Sequence, residues 1–336
     1  MRRLPPVLLV VLLGITAVAL AQERGGRLRE TLRARAAAPP VVNLRAGEAI
    51  DAPGDYRVEL MHDGLSREYR MHVPRGYRRG HPMPLLVALH GGGGDMDWQA
   101  DDSKYGLISA SERRGFIAVF PNGFSRLPGG RLATWNAGRC CGPARDRDVD
   151  DVGFIRAMVA DVSRTLHVDR GRVYATGMSN GGMMAYRLAC EAPDVFRAIA
   201  AVAGTDNTSR CEPAPAVSVL HIHALDDDHV LFDGGAGAGA FRNPAAVTDF
   251  ASVPVTVEAW THRNGCRAPP RRIVDVPGAH CDLYAPCAQG SKVQLCVTDG
   301  GGHSWPGGSK ARGAPSQAID ANDTMWAFFD SLRGAP

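Results

Sequence analysis

Short apolar runs recur along the chain between residues 85 and 297, separated by polar and glycine-containing segments. They lack the apolar–polar alternation of a strand with one solvent-exposed face. Continuous apolar runs are typical of strands buried on both faces of a parallel sheet. The runs are Leu85–Leu89, Phe116–Phe120, Val173–Thr176, Ala198–Val202, Val219–His223 and Val293–Val297.

Helical patterns separate several of these runs. Val152–Leu166 carries an apolar stripe behind the acidic pair Asp150-Asp151, and acidic side chains favour a helix N-terminus. Asn180–Cys190 is a second predicted helix, which Pro193 ends. Strands that alternate with helices predict an α/β fold, with a mostly parallel, doubly wound sheet and helices on both faces.

The first residues have the pattern of a secretory signal peptide. A basic start, Met1-Arg2-Arg3, precedes an apolar run that extends to Ala21, and Ala19-x-Ala21 has the small residues that signal peptidase requires. A membrane anchor is the alternative, but the run is short of the roughly 20 apolar residues that span a bilayer. We therefore predict cleavage before Gln22, secretion, and no stable membrane anchor.

Residues 22–50 are rich in Arg, Ala and Pro and show no apolar periodicity, so we predict a flexible leader. Next, Tyr56–Leu60 and Arg67–Val73 flank an Asp63-Gly64 turn, which predicts a hairpin. We find no internal repeat and no second boundary, so residues 51–336 are predicted to form a single catalytic domain.

The net charge of the chain does not point to a particular partner. Removal of Arg2 and Arg3 leaves 36 basic against 35 acidic residues, a net charge of about +1, which does not indicate nucleic acid as a partner. We expect a monomer.

Eight cysteines, all beyond residue 139, indicate disulfides in an exported chain. A zinc site is the alternative, but the chain has no Cys-x-x-Cys, so we expect no metal. Local pairing favours Cys266 with Cys287 and Cys281 with Cys296. Adjacent Cys140 and Cys141 do not easily share one disulfide geometry, so we expect at least one of them to pair elsewhere.

The segment Gly177-Met178-Ser179-Asn180-Gly181 lies between a predicted strand and a predicted helix. That is the setting of a nucleophile elbow, in which small neighbours let strand and helix approach while the serine hydroxyl projects from the sheet edge. Backbone N–H groups at the helix N-terminus can stabilise developing negative charge there. The alternative is an ordinary strand–helix turn capped by Ser179.

A serine hydroxyl needs a base to take its proton at neutral pH. His303 follows the last predicted strand inside a glycine-rich loop, and a plain surface loop is the alternative. The acid is expected after the strand that ends near His223, where Asp226-Asp227-Asp228 stands; spacing alone does not choose among them. The order serine, acid, histidine is that of α/β-hydrolases.

The predicted strand Leu85–Leu89 runs directly into His90-Gly91-Gly92-Gly93-Gly94-Asp95. Glycines there let the backbone approach a substrate, so we predict an oxyanion hole from the Gly92 and Asn180 N–H groups. A phosphate-binding loop is the alternative, but it would need a Lys-Ser/Thr pair, which this loop lacks.

These and further segments together resemble the secreted esterases of the polyhydroxybutyrate depolymerase type, which include feruloyl and acetylxylan esterases. The matching segments are Leu89-His90-Gly91, Trp135–Gly138 with Cys140–Gly142, Asp150–Phe154, Arg172–Gly182 and Gly301–Gly307.

The resemblance implies an α/β-hydrolase fold and ester hydrolysis through an acyl-enzyme, without a cofactor. Alignment of His223 and Val230 with the family pattern selects Asp227 as the acid. Ala224, Leu231 and Phe232 depart from that pattern, which indicates an altered pocket on this side.

By family analogy, Trp135, Asn136 and Trp305 are expected near the pocket, as residues that contact substrate. For either tryptophan, a place in the core is the alternative. We favour feruloyl or acetyl esters on plant polysaccharide as substrates. The alternatives are a polyhydroxyalkanoate depolymerase and, from another class, an inactive hydrolase fold that only binds.

Overall fold

The predicted strands lie in one eleven-stranded sheet. A computed structural model describes residues 41–240, 249–309 and 313–333. The strands are β1 Val42–Arg45, β2 Gly54–His62, β3 Leu65–Val73, β4 Met83–Leu89, β5 Ile117–Pro121, β6 Val168–Met178, β7 Ala198–Val202, β8 Ser218–Ala224, β9 Arg271–Val276, β10 Ala279–Tyr284 and β11 Val293–Thr298. The α-helices are α1 Met96–Gln99, α2 Asp102–Tyr105, α3 Leu107–Arg114, α4 Gly142–Asp146, α5 Asp151–Thr165, α6 Asn180–Glu191, α7 Val253–Arg263 and α8 Ala321–Asp330.

The strand order is β1-β2-β3-β5-β4-β6-β7-β8-β11-β10-β9. The six predicted apolar runs form the central strands, which lie in the order β5-β4-β6-β7-β8-β11 and pair in parallel. The predicted hairpin is confirmed as antiparallel β2 and β3. Since parallel strands end at the same edge, the loops that follow β4, β6, β8 and β11 meet at one edge of the sheet.

Alternate residues of the central strands face opposite layers. In β4, Leu85, Val87 and Leu89 join the apolar cluster that contains residues of α5, α6 and α7. Leu86 and Ala88 join the cluster that contains residues of α3 and α8. Both faces are therefore covered by helices, as predicted, and this explains why the strand sequences are apolar throughout.

The predicted leader ends earlier than residue 50. β1 pairs in parallel with residues 56–59 of β2, and Ile50 is buried in the core. Because β1 is short and mostly exposed, it has no apolar pattern that the sequence could reveal. The signal peptide and leader residues up to 40 lie outside the described residues. None of the described helices has the length and apolarity needed to cross a membrane.

Both local disulfides are confirmed, Cys266–Cys287 and Cys281–Cys296; the second joins directly opposed residues of β10 and β11. The expectation for the adjacent pair was wrong, since Cys140 and Cys141 are bonded to each other. The remaining cysteines, Cys190 and Cys211, pair together, so the adjacent pair has no other partner in the chain.

Candidate active site

Ser179 stands on a sharp turn between the end of β6 and the start of α6. Its backbone has φ 58° and ψ −124°, a conformation that L residues rarely adopt. The turn needs glycine on both sides: a Cβ at Gly177 would lie 2.5 Å from the backbone of Gly181, and a Cβ at Gly181 would lie 2.3 Å from the Leu89 carbonyl oxygen. The strand–helix setting predicted for the nucleophile elbow is thus present.

Asp227 and His303 come from the loops after the neighbouring strands β8 and β11. The His303 Nδ1 lies 2.9 Å from Asp227 Oδ2 and 3.1 Å from Oδ1. Asp227 is buried, whereas His303 lines the same cavity as Ser179. The three residues predicted from the sequence therefore meet at one edge of the sheet.

The two other aspartates of the triplet point elsewhere. Asp226 Oδ1 accepts a hydrogen bond from the Gly302 N–H at 2.7 Å and so ties down the loop that carries His303. Asp228 is exposed, and its Oδ1 lies 2.7 Å from His229 Nδ1. The chain reverses within the triplet, which gives three consecutive carboxylates three different surroundings.

The Asp227 carboxylate is held in its ionised form. Burial by itself raises the pKa of this group, but the hydrogen bond from His303 and the electrostatic interactions with the His303 and His223 rings outweigh burial, so the pKa lies below its usual range. Oδ1 also accepts the backbone N–H groups of His229 and Val230 at 2.8 and 3.0 Å. An ionised acceptor at this place fixes the Nδ1–H tautomer of His303.

The glycine loop after β4 lies against the elbow. A Cβ at Gly91 would come within 3.6 Å of Ser179 Cβ. The N–H groups of Gly93 and Gly94 donate to the Ala133 and Gly91 carbonyls, respectively. The N–H of Gly92, between Gly91 and Gly93, has no acceptor among the described residues. Asn180 is the first residue of α6, where backbone N–H groups lack an intrahelical partner.

His90, which begins this loop, is a buried neutral histidine. Its Nε2 accepts the Gly123 N–H at 2.9 Å, and its Nδ1–H donates to the Gly91 carbonyl at 2.8 Å. Burial lowers its pKa to about 4. The ring therefore joins the glycine loop to the chain after β5 as a hydrogen-bonded spacer and carries no charge near neutral pH.

We expect His90 to make the fold acid-sensitive. The unfolded chain binds the proton below a pKa of about 6.5, whereas the folded chain binds it only near 4, so the free energy of unfolding falls as the pH falls between these values. The contribution of His90 to this slope is about 1.4 kcal/mol per pH unit, which amounts to about 3 kcal/mol over the whole interval. Urea unfolding from pH 7 to pH 4 measures it. His90→Asn is expected to have a shallower slope than the wild type, and the exposed His81→Asn the same slope; equal slopes in all three would contradict the assignment.

A cavity of about 560 Å³ opens above Ser179. Its volume is in the range of small-molecule sites. Its walls are largely apolar, and the polar groups of Ser179, His303 and the glycine loop converge on it. The apolar and aromatic wall residues include Trp98, Tyr105, Met183, Val230 and Phe250.

Three residues predicted to contact substrate do not line this cavity. Trp135 is fully buried; its backbone N–H donates to Asn180 Oδ1 and its indole N–H donates to the His90 carbonyl, so it braces the elbow against the glycine loop. Asn136 is buried against Asp151 and residues 148–149. Trp305 is buried edge-on against Tyr105. The sequence motifs located these residues close to the site, but they pack behind its wall.

Two wall residues were missed. Trp98 in α1, just beyond the glycine loop, is 48% exposed at the cavity. The Lys104 ammonium lies 4.3 Å from its ring centroid, a cation–π contact that holds the ring in place. A tryptophan one turn beyond the glycine loop was the available signal.

His229 is the second missed residue. Its ring stacks on His303 with centroids 4.4 Å apart and planes 12° apart, and it lines the cavity. Ligand atoms of Asp227, His229 and His303 lie within 4.8 Å of one another, a spacing compatible with a metal ion. Asp227 and His229 already have hydrogen-bonding partners in His303 and Asp228, respectively.

The architecture is that of an α/β-hydrolase. The solved structure of the acetyl xylan esterase from Aspergillus awamori superposes with a TM-score of 0.54 at 16% identity, covering 79% of this chain and 94% of that one, which supports the fold. Among curated proteins, feruloyl esterase B of Piromyces equi is 30% identical over 245 residues, which cover 71% of this chain and 42% of that protein. NocK of Nocardia uniformis subsp. tsuyamanensis is 33% identical over 290 residues, 81% of each chain.

Residues 67–257 match the family described as Esterase PHB depolymerase. The chain belongs to this family, as its sequence motifs predicted, and is a carboxylic ester hydrolase.

Proposed function

We propose that this protein is an exported serine esterase that works through an acyl-enzyme, with Ser179 as nucleophile, His303 as base and Asp227 as acid. The observation that carries the proposal is the Asp227–His303 pair, 2.9 Å apart, beside a strained Ser179 in one cavity. The α/β-hydrolase fold brings such groups together from distant loops.

In the first half of the reaction, His303 takes the proton of Ser179, whose oxygen attacks the ester carbonyl. Asp227 holds the ring of His303 and stabilises the imidazolium that forms. The N–H groups of Gly92 and Asn180 stabilise the tetrahedral oxyanion. His303 then gives its proton to the leaving alcohol, and the acyl group stays on Ser179.

In the second half, water enters as the nucleophile. His303 removes a proton from it, the hydroxide attacks the acyl carbonyl, and the same N–H groups stabilise the second oxyanion. Collapse of this intermediate breaks the bond to Ser179 Oγ, which recovers its proton from His303. Every proton therefore passes through His303, so no cofactor is part of the scheme.

For substrate, we propose feruloyl or acetyl esters of plant polysaccharide. The exposed, braced ring of Trp98 offers a flat aromatic surface at the cavity mouth, where an aromatic acyl group or a sugar ring could stack. The likeness to feruloyl esterase B points the same way. A polyhydroxyalkanoate oligomer, which is aliphatic, is the second candidate because the cavity wall is largely apolar.

The disulfides bear on the location of the protein. Four disulfides are typical of a protein in an oxidising compartment, which agrees with the signal-peptide pattern at residues 1–21 and supports export to the periplasm or the medium. We propose that the exported enzyme acts as a monomer on small or polymer-linked esters.

Substrate choice is tested by a hydrolysis panel of methyl ferulate, acetylated xylan and 3-hydroxybutyrate oligomers. We expect kcat/KM to be highest for methyl ferulate or acetylated xylan, and Trp98→Ala to raise KM for methyl ferulate roughly 5- to 10-fold because one stacking contact is worth about 1 kcal/mol. The kcat should change little.

Trp98→Phe, which keeps an aromatic face, is the matched control and should stay close to wild-type KM. Ethyl acetate, which has no ring that could stack, should be cleaved equally by all three proteins. Fastest cleavage of the hydroxybutyrate oligomers would favour the second candidate, and equal, slow cleavage of the whole panel would contradict both.

A further inference from the structure

A line of buried hydrogen bonds runs from α6 through β8 to the Val230 carbonyl, beside Asp227. The Tyr186 hydroxyl lies 2.8 Å from His221 Nδ1, and His221 Nε2 lies 3.1 Å from His223 Nδ1. His223 Nε2 lies 2.8 Å from the Val230 carbonyl oxygen and 3.3 Å from Asp227 Oδ2. The tyrosine and both histidines are at most 1% exposed. The mechanism uses none of these three side chains.

The surroundings of each ring determine which of its nitrogens carries the proton. A carbonyl oxygen only accepts, so His223 Nε2 must carry a proton, which it donates to the Val230 carbonyl. His223 Nδ1 is then an acceptor, and it receives the Nε2–H of His221. The Nδ1 of His221 is likewise an acceptor and receives the Tyr186 O–H. One fixed carbonyl thus fixes two tautomers and one hydroxyl rotamer.

The line also keeps both rings neutral. A second proton on His223 would place two N–H donors against each other across 3.1 Å. Burial lowers the pKa of His221, and the neighbouring His223 lowers it further. Burial likewise lowers the pKa of His223, even though the charge of Asp227 opposes the shift.

The two oxygens of the Asp227 carboxylate have different partners. Oδ1 accepts the two backbone N–H groups of residues 229 and 230. Oδ2 receives the closest approach of His303, and His223 Nε2 lies 3.3 Å from it. His223 therefore touches the carboxylate directly and also holds the carbonyl of Val230, whose N–H donates to Oδ1.

We propose that His223 is a positioning residue for the triad: its Nε2–H, fixed by His221 and Tyr186, binds the Val230 carbonyl and lies against Asp227 Oδ2, and so holds the carboxylate where it can orient His303. The inference rests on the proposed role of Asp227. It assigns a function to a histidine at the end of the predicted strand Val219–His223.

The test compares His223→Leu with His223→Gln on a p-nitrophenyl ester. Loss of the hydrogen bond to Val230 and of the polar contact with Asp227 should lower kcat about 10-fold in His223→Leu, with KM nearly unchanged. Glutamine keeps an N–H close to the Nε2 position, so His223→Gln should recover most of that loss. In an Asp227→Asn background the same His223→Leu change should cost less than about 2-fold, because the charge it serves is gone.

Three results would each overturn the proposal. They are a wild-type kcat in His223→Leu, an equal loss of kcat in His223→Leu and His223→Gln, and a double variant with Asp227→Asn whose loss of kcat is the product of the two single losses. If Asp227→Asn itself keeps full activity, the triad assignment is what fails. Should His223→Leu not fold, ¹⁵N NMR of the wild type decides: His221 and His223 must both be neutral Nε2–H tautomers, and an Nδ1–H tautomer at His223 would overturn the inference.

Discussion

Ser179→Ala is expected to lower kcat for a short p-nitrophenyl ester by about 10⁵-fold or more, because removal of the nucleophile from a triad leaves only binding and oxyanion stabilisation. The fold should survive, since the change removes one oxygen atom and the Ser179 side chain makes no capping hydrogen bond to α6. Activity and thermal unfolding of the same preparation measure the two effects.

A fluorophosphonate probe gives the same experiment a second readout. Wild-type protein should be labelled covalently at Ser179, and Ser179→Ala should stay unlabelled. Ser66→Ala, on the exposed β2–β3 hairpin, is the matched serine control and should be labelled like wild type. Labelling of Ser179→Ala, or full activity in it, would refute the assignment, whereas an unlabelled wild type would favour the inactive binding protein.

Replacing the three aspartates one at a time should separate them sharply. We expect Asp227→Asn to lower kcat by about 10⁴-fold, because the neutral amide can donate where a carboxylate must accept and no longer selects the His303 tautomer. Asp228→Asn should cost less than about 3-fold, since Asp228 is exposed and contacts only His229 among the groups of the site.

Asp226→Asn is expected to fall between them, at roughly 10-fold, because one amide oxygen can still accept the Gly302 N–H. All three changes are isosteric and leave the chain length and packing alone, so each variant is a control for the others. Steady-state kinetics and urea unfolding of the set are the measurements. A large loss in Asp226→Asn or Asp228→Asn together with an active Asp227→Asn would move the acid and contradict the proposed triad.

Local patterns were enough for the central part of the fold. The apolar runs of β4 to β8 and β11 are legible because both faces of these segments are covered, so most of their positions are apolar. The elbow was equally legible, since Gly177 and Gly181 are required by contacts with neighbours a few residues away or with the adjoining strand. Ordering of serine, acid and histidine along the chain follows from the topology of the sheet.

Long-range packing decided what the motifs could not. The same motif residue can contact substrate or brace the wall behind it, and Trp135 and Trp305 turned out to brace. Conversely, Trp98 belongs to none of the sequence motifs, yet it lines the cavity. The edge strand β1 was invisible because pairing with β2, rather than an apolar face of its own, keeps it in the sheet.

By itself, the sequence determined the class of sheet, the position of Ser179 and the candidates for its partners, because each depends on residues close together in the chain. Only the tertiary structure decided which aspartate faces His303 and what stands behind it. Asp226, Asp227 and Asp228 are equivalent in composition and spacing. They differ only in the direction of their side chains. The partners of Asp226 and Asp227 lie more than seventy positions away, at Gly302 and His303, whereas Asp228 faces the adjacent His229.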